Sequence, residues 1–212
     1  MHRENRAVFN CRFTQRYMGK QMKEVSRVGD CANNEEVILA VRQWVETFVV
    51  GMNLCPFAKR ELVKNRVRFV TTASTTPEQL LLILQAELEL LSTDASVETT
   101  LLIHPDVLQD FYDFNDFLHD ADSLLVEMEL DGIYQIASFH PDYQFGGTSA
   151  SDAENYTNRS PYPVLHLLRE DSLERVIADY PNVDDIPERN IELMNELGRD
   201  KLQALLKSCL NE

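Results

Sequence analysis

Apolar residues recur at helical spacing from residue 35 onward. Val37, Val41, Trp44, Val45, Phe48 and Val49 fall on one stripe, which predicts a helix ending near Gly51 with Asn33 or Asn34 as its N-cap. Pro56 fits the first position of a short helix through Val63. The period then changes: 67–72, 99–103 and 133–139 are rich in β-branched and aromatic residues and read as strands. Between the first two, Thr76-Pro77-Glu78 opens a helix with Leu80, Leu84, Leu88 and Leu91 on its packing face. The next helix runs from Val107 through Phe111, Phe114, Leu118, Ala121 and Leu125 to Met128 in alternating steps of four and three, and Gly132 caps it. The apolar run 163–168 fits a strand and a short helix equally well. Beyond it, Asp171-Ser-Leu-Glu174 forms a capping box for a helix reaching Tyr180. Pro187 opens another helix that Gly198 ends, and Leu202, Leu205, Leu206 and Cys209 mark the last.

Strand–helix–strand–helix–strand order predicts a βαβαβ core. We expect an α/β (or α+β) fold, with a mainly parallel sheet flanked by helices. Length and an apolar content of 44% suit one globular domain over 31–212 that needs no disulfide or metal to hold it. Residues 1–30 stand apart, with seven basic residues against three acids and no sustained period, and are expected to be a basic, flexible extension. The formal charge of −15 argues against nucleic acid and anionic membrane as partners. No membrane-length apolar run or signal-peptide pattern is present, and Cys11, Cys31, Cys55 and Cys209 lack paired or metal-type spacing, so a cytoplasmic protein with reduced thiols is expected. The nine acids between Pro105 and Gly132 lie opposite or beside the apolar stripe and read as a solvated face. Oligomeric state is not legible.

The chemistry-bearing stretch is 132–171, a strand opening into a long polar loop that carries His, Asp, Tyr, Asn and Arg among aromatics. Long loops of this kind in compact domains are usually functional. His104-Pro105 and His140-Pro141 each follow a predicted strand, so parallel strands would bring both imidazoles to the carboxyl edge of the sheet, where open α/β folds bind ligands. Three chemistries fit. His104, His140 and His166 would hold a transition metal (Zn, Fe or Mn), with Asp142, Asp152 or Glu154 as carboxylate ligand. Alternatively, Cys55 would be a nucleophile with His140 as its base, its thiol acidified by a helix N-terminus and by Lys59 and Arg60. In the third, Asn158, Arg159 and Ser160 would cradle a phosphate or carboxylate, with Tyr143 and Tyr156 lining the site. The leading reading is a small-molecule enzyme, a hydrolase or transferase, acting on an anionic substrate through His140, His104 and Arg159. The rival is a noncatalytic metabolite- or protein-binding module that uses the same aromatic loop.

The segments NLCPFAKRE (53–61), IHP (103–105) with DFYDFNDFL (110–118), QIASFHPDYQF (135–145), ENYTNRSPYPVLHLLRED (154–171) and IPERNIELM (186–194) resemble a bacterial family known as domain of unknown function 1415. The resemblance covers about residues 35–198 and leaves 1–30 outside it. It implies a bacterial-type cytosolic protein and carries no role onto Cys55, His140 or Arg159.

Overall fold

The computed structural model describes residues 31–210, so the basic segment 1–30 lies outside the described residues. The first described helix, α1 (Cys31–Trp44), is already helical ahead of Asn33 and Asn34, so the expected start at those positions falls inside it. A wide π turn, Val45–Val50, continues it and keeps Val45 and Phe48 on the buried face with Val37, Val41 and Trp44. Gly51 follows because a Cβ there would sit 2.3 Å from the Thr47 carbonyl oxygen. The chain then forms α2 (Ala58–Val63), β1 (Val67–Thr71), α3 (Pro77–Thr93), β2 (Thr99–Ile103), α4 (Phe111–Glu127) and β3 (Tyr134–Phe139). A 3₁₀ turn (Ala153–Thr157), β4 (Val164–Arg169), α5 (Glu170–Ala178), α6 (Ile186–Leu197) and α7 (Arg199–Ser208) complete it. Thr76 caps α3 by accepting the Gln79 N–H, and Asp110 caps α4 by accepting from Tyr112 and Asp113. The capping box expected at 171–174 does not form, because α5 is already helical from Glu170 and its cap position is Arg169.

The fold is α/β, but the sheet is mixed rather than mainly parallel. Its order is β1-β2-β4-β3, with β2 parallel to β1 and β4 antiparallel to both of its neighbours. β1, β2 and β3 therefore point the same way, as the βαβαβ reading requires, and β4 is wedged between the last two. The long connection 140–163 gives the chain room to return antiparallel, and a run buried on both faces has no alternation to reveal its state beforehand. One face of the sheet carries Leu102, Leu165 and Leu167 against α3 and α4, including Leu84, Leu88 and Phe114. The other carries Leu101, Ile103 and Val164 against α1, α6 and α7, including Trp44, Met194 and Leu202. Each such fully buried side chain is worth about 1.5–3 kcal/mol. The edge strand β1 is tied to α3 by Arg68, which donates to both oxygens of the buried Glu87 at 2.7 and 2.9 Å. The acids of α4 are exposed. Among the described residues no helix is long and apolar enough to cross a membrane.

Candidate functional site

Because β2 and β3 are codirectional, His104 and His140 both leave the carboxyl edge of the sheet, on either side of β4. The His104 N–H donates to Pro163 O, which extends the β2–β4 ladder by one residue, whereas the His140 N–H leaves the ladder and donates to Asn158 O in the loop. Both rings turn to the α3/α4 face and have no exposed surface. Phe114 of α4 packs against both, with ring centroids 5.6 Å from His104 and 5.2 Å from His140, and Phe111 lies 5.5 Å from His140.

Their hydrogen bonds differ. His140 Nε2 donates to Leu108 O at 3.2 Å, and its Nδ1 accepts the Asp142 N–H at 3.0 Å, so both nitrogens are occupied. Burial pushes its pKa below the usual histidine value. His104 Nδ1 donates to Val107 O at 3.0 Å, whereas its Nε2 is buried without a hydrogen-bond partner. Burial lowers the His104 pKa to about 4, which leaves the ring neutral and that nitrogen bare at neutral pH. A buried acceptor without a partner costs about 1–3 kcal/mol. Leu108, which carries the second of the two acceptor carbonyls, has φ 57°, a left-handed backbone that costs a residue with a Cβ about 1–2 kcal/mol. Trp44 Nε1, Thr71 Oγ1 and Thr100 Oγ1 are also buried without a partner, but none of them is basic near neutral pH.

The loop 140–163 is organised by its own polar side chains. Asn155, fully buried, accepts from the Phe145 N–H and Thr148 Oγ1 and donates to Ser149 O. Arg159, 8% exposed, donates through Nε to Tyr143 O at 3.1 Å and through Nη2 to Ala150 O at 2.9 Å, with its guanidinium over the Tyr156 ring. It makes no ion pair among the described residues, although Asp152 and Glu154 are near in sequence. Asn158 donates to Ser138 O, and Ser160 Oγ donates to Tyr162 O. The cradle residues therefore serve the loop's own backbone first. What the cradle retains for a ligand is the Arg159 charge, which has no ion-pair partner among the described residues. Tyr143 lies between Phe111 (5.1 Å) and Phe145 (4.9 Å), and these rings, with the exposed Tyr112 beside Phe111, form an aromatic row over His140.

Two expected members are not brought to this edge. His166 sits in the middle of β4, between Leu101 and Ala137, on the α1 face of the sheet. Its Nε2 donates to Thr99 Oγ1 at 2.7 Å, since that hydroxyl gives its own proton to Leu167 O. Burial lowers its pKa to about 4. The three imidazoles thus lie on two faces of the sheet and do not converge. His140 also has no free nitrogen, and among the described residues no cluster of three or more His, Cys, Asp or Glu could hold a metal. Cys55 follows the buried Leu54, whose carbonyl is held by Asn190 of α6. Phe57, not Cys55, precedes the first residue of α2, and burial pushes the thiol pKa up, opposite to the expected acidification. No bond joins it to His140. Residues that sequence reasoning missed as parts of the site are Val107, Leu108 and Phe114. The first and last read as packing positions of a helix, and nothing in the pattern separates them from core. A cavity of about 450 Å³ lies at the amino edge of β1, the opposite end of the parallel pair β1–β2 from His104, between Lys64, Arg66, Arg68 and Val97. Its arginines are already neutralised, Arg66 by Glu61 and Glu98 and Arg68 by Glu87.

Over residues 36–204 the sequence matches the family model described as protein of unknown function (DUF1415). The chain belongs to the DUF1415 family. No curated protein and no solved structure matches it. The DUF1415 match spans every strand of the sheet, both His-Pro loops and the Arg159 loop.

Proposed function

We propose that this DUF1415 protein is an enzyme acting on a small anionic molecule, a phosphate or carboxylate, at the carboxyl edge of β2 and β3. His104 is the proton acceptor and Arg159 supplies the counter-charge. The observation that carries the reading is the bare, buried Nε2 of His104, an expensive group for a fold to keep unless a ligand completes it. Its Nδ1–H bond to Val107 O would stabilise the imidazolium formed when Nε2 takes a proton from a ligand O–H. A ring with a pKa of about 4 is a poor base on its own; a negative charge arriving with the ligand would raise it, which favours an anion. Arg159, without a carboxylate partner in a chain of net charge −15, points to the same ligand class. Access would require the aromatic row over His140 to open. We further take the protein to be bacterial and cytoplasmic, with neither nucleic acid nor membrane as partner, on the family resemblance, its acidity and the free thiols Cys55 and Cys209.

A second reading, a noncatalytic module, draws on that aromatic row, because Tyr112, Phe111, Tyr143 and Phe145 could anchor a ligand that never reaches the histidines. A thermal-shift screen of phosphorylated and carboxylated metabolites, run with wild type, His104→Phe and Tyr143→Ala, separates the two. The enzyme reading expects a hit lost in His104→Phe. A hit that survives His104→Phe and disappears in Tyr143→Ala would replace it with the module.

A further inference from the structure

We propose that Leu108 is the positioning residue of the site: its left-handed backbone turns two consecutive carbonyls, Val107 O and Leu108 O, toward two different imidazoles and thereby leaves His104 bare at Nε2. A carbonyl oxygen only accepts, so whichever ring nitrogen bonds to it must carry the proton. Val107 O lies 3.0 Å from His104 Nδ1, and Leu108 O lies 3.2 Å from His140 Nε2. A neutral imidazole has one N–H. The first contact therefore fixes His104 as the Nδ1–H form, and the second fixes His140 as the Nε2–H form, whose Nδ1 is free to accept the Asp142 N–H. The burial that keeps both rings neutral makes the assignment complete, since a doubly protonated ring would distinguish nothing.

The choice of residue is telling. Among the described residues five that are not glycine have positive φ: Asn53, Asn65, Asn182, Glu129 and Leu108. Asparagine tolerates this conformation, and Glu129 follows the C-cap of α4, Met128. Leu108 is the one apolar case, and its partly buried side chain packs against the α3/α4 core, which holds the turn in place. Strain of this kind persists only where the surroundings over-determine it. The loop is closed on both sides of the turn, by Gln109 Nε2 donating to Pro105 O at 2.7 Å and by Asp110 capping α4. The catalytic significance of the clamp rests on the reading of His104 given above; its geometry does not.

Long-range ¹H–¹⁵N imidazole spectra at pH 7.5 test the clamp without any ligand. Wild type is expected to show His104 protonated on Nδ1 alone and His140 on Nε2 alone. Leu108→Gly, which adopts the left-handed backbone freely, keeps both signatures while melting at a lower temperature. Leu108→Ile, whose β-branch opposes that backbone, loses the His104 signature to averaged nitrogen shifts, while the Asp142 N–H still holds His140 as the Nε2–H form; Leu108→Ala is read in its place if the isoleucine variant does not fold. A wild-type His104 protonated on Nε2 would overturn the proposal. So would a single-tautomer His104 signature retained in a folded Leu108→Ile or Leu108→Ala. Failure of the metabolite screen alone would leave these spectra unchanged, so the two readings fall separately.

Discussion

Replacing His140 by phenylalanine keeps a ring against Phe111 and Phe114 but strips Leu108 O of its donor and the Asp142 N–H of its acceptor. With two backbone groups left unmet, the variant is expected to lose about 2–4 kcal/mol of stability in urea unfolding. His104→Phe is expected to behave differently. It also removes one bond, to Val107 O, but it relieves the partnerless Nε2, and these changes nearly cancel, so unfolding should shift by less than about 1 kcal/mol. A destabilisation of His104→Phe as large as that of His140→Phe would mean that Nε2 has a partner in solution, such as an ordered water. At this scale the sequence conveys part of the site. Two His-Pro dipeptides after codirectional strands are readable, whereas which nitrogen stays bare depends on a backbone angle at Leu108 that no spacing reports. Arg159 is similar: its lack of an acidic partner became visible only once Asp152 was seen accepting the Ser149 N–H instead.

Among the elements, the loop 140–163 has the least regular structure and the densest side-chain-to-backbone bonding. Asn155 is its hub. Asn155→Ala deletes three hydrogen bonds in a fully buried position, and about 2–4 kcal/mol of lost stability is expected, with amide exchange accelerated first at 143–149. Exchange unchanged in that segment would show that Arg159 alone holds the loop. Arg159→Lys is expected to destabilise by about 1–3 kcal/mol, since an ammonium cannot reproduce the forked contact to Tyr143 O and Ala150 O while lying flat over Tyr156. Helices α1, α3 and α4 were legible because each buries one stripe, and Val37, Leu84 and Phe114 all fall where the period puts them. β4 was not, because Val164–Arg169 is covered on both faces and its apolar run carries no period. Its insertion between β2 and β3 is a long-range choice, made by the length of the preceding loop and the two cores it completes. The same insertion sends His166 to the far face, so the three imidazoles do not converge, and the backbone bonds at both nitrogens of His140 remove a second ligand.

For the molecule as a whole, His104 and His166, on opposite faces of one sheet, make stability depend on pH in a definite direction. His104 and His166 have folded pKa values of about 4, against about 6.5 in the unfolded chain, and His140 is lowered as well. Above pH 6.5 both states are neutral at these sites and nothing is lost. As pH falls, the unfolded chain takes up protons that the folded chain refuses, so unfolding becomes easier until the folded rings titrate near pH 4. Two such sites give a slope of up to about 2.7 kcal/mol per pH unit between 6 and 4.5. An opposing effect comes from the charge of −15, whose self-repulsion is relieved as carboxylates protonate. That relief begins only near the carboxylate pKa values, so between pH 6.5 and 5 the histidines win. Urea midpoints measured across this window should therefore fall steadily with pH. His166→Leu should flatten the curve, and His104→Phe with His166→Leu should flatten it further. The double variant leaves the acidic surface untouched, so a curve as steep as wild type would assign the acid sensitivity to groups other than these imidazoles.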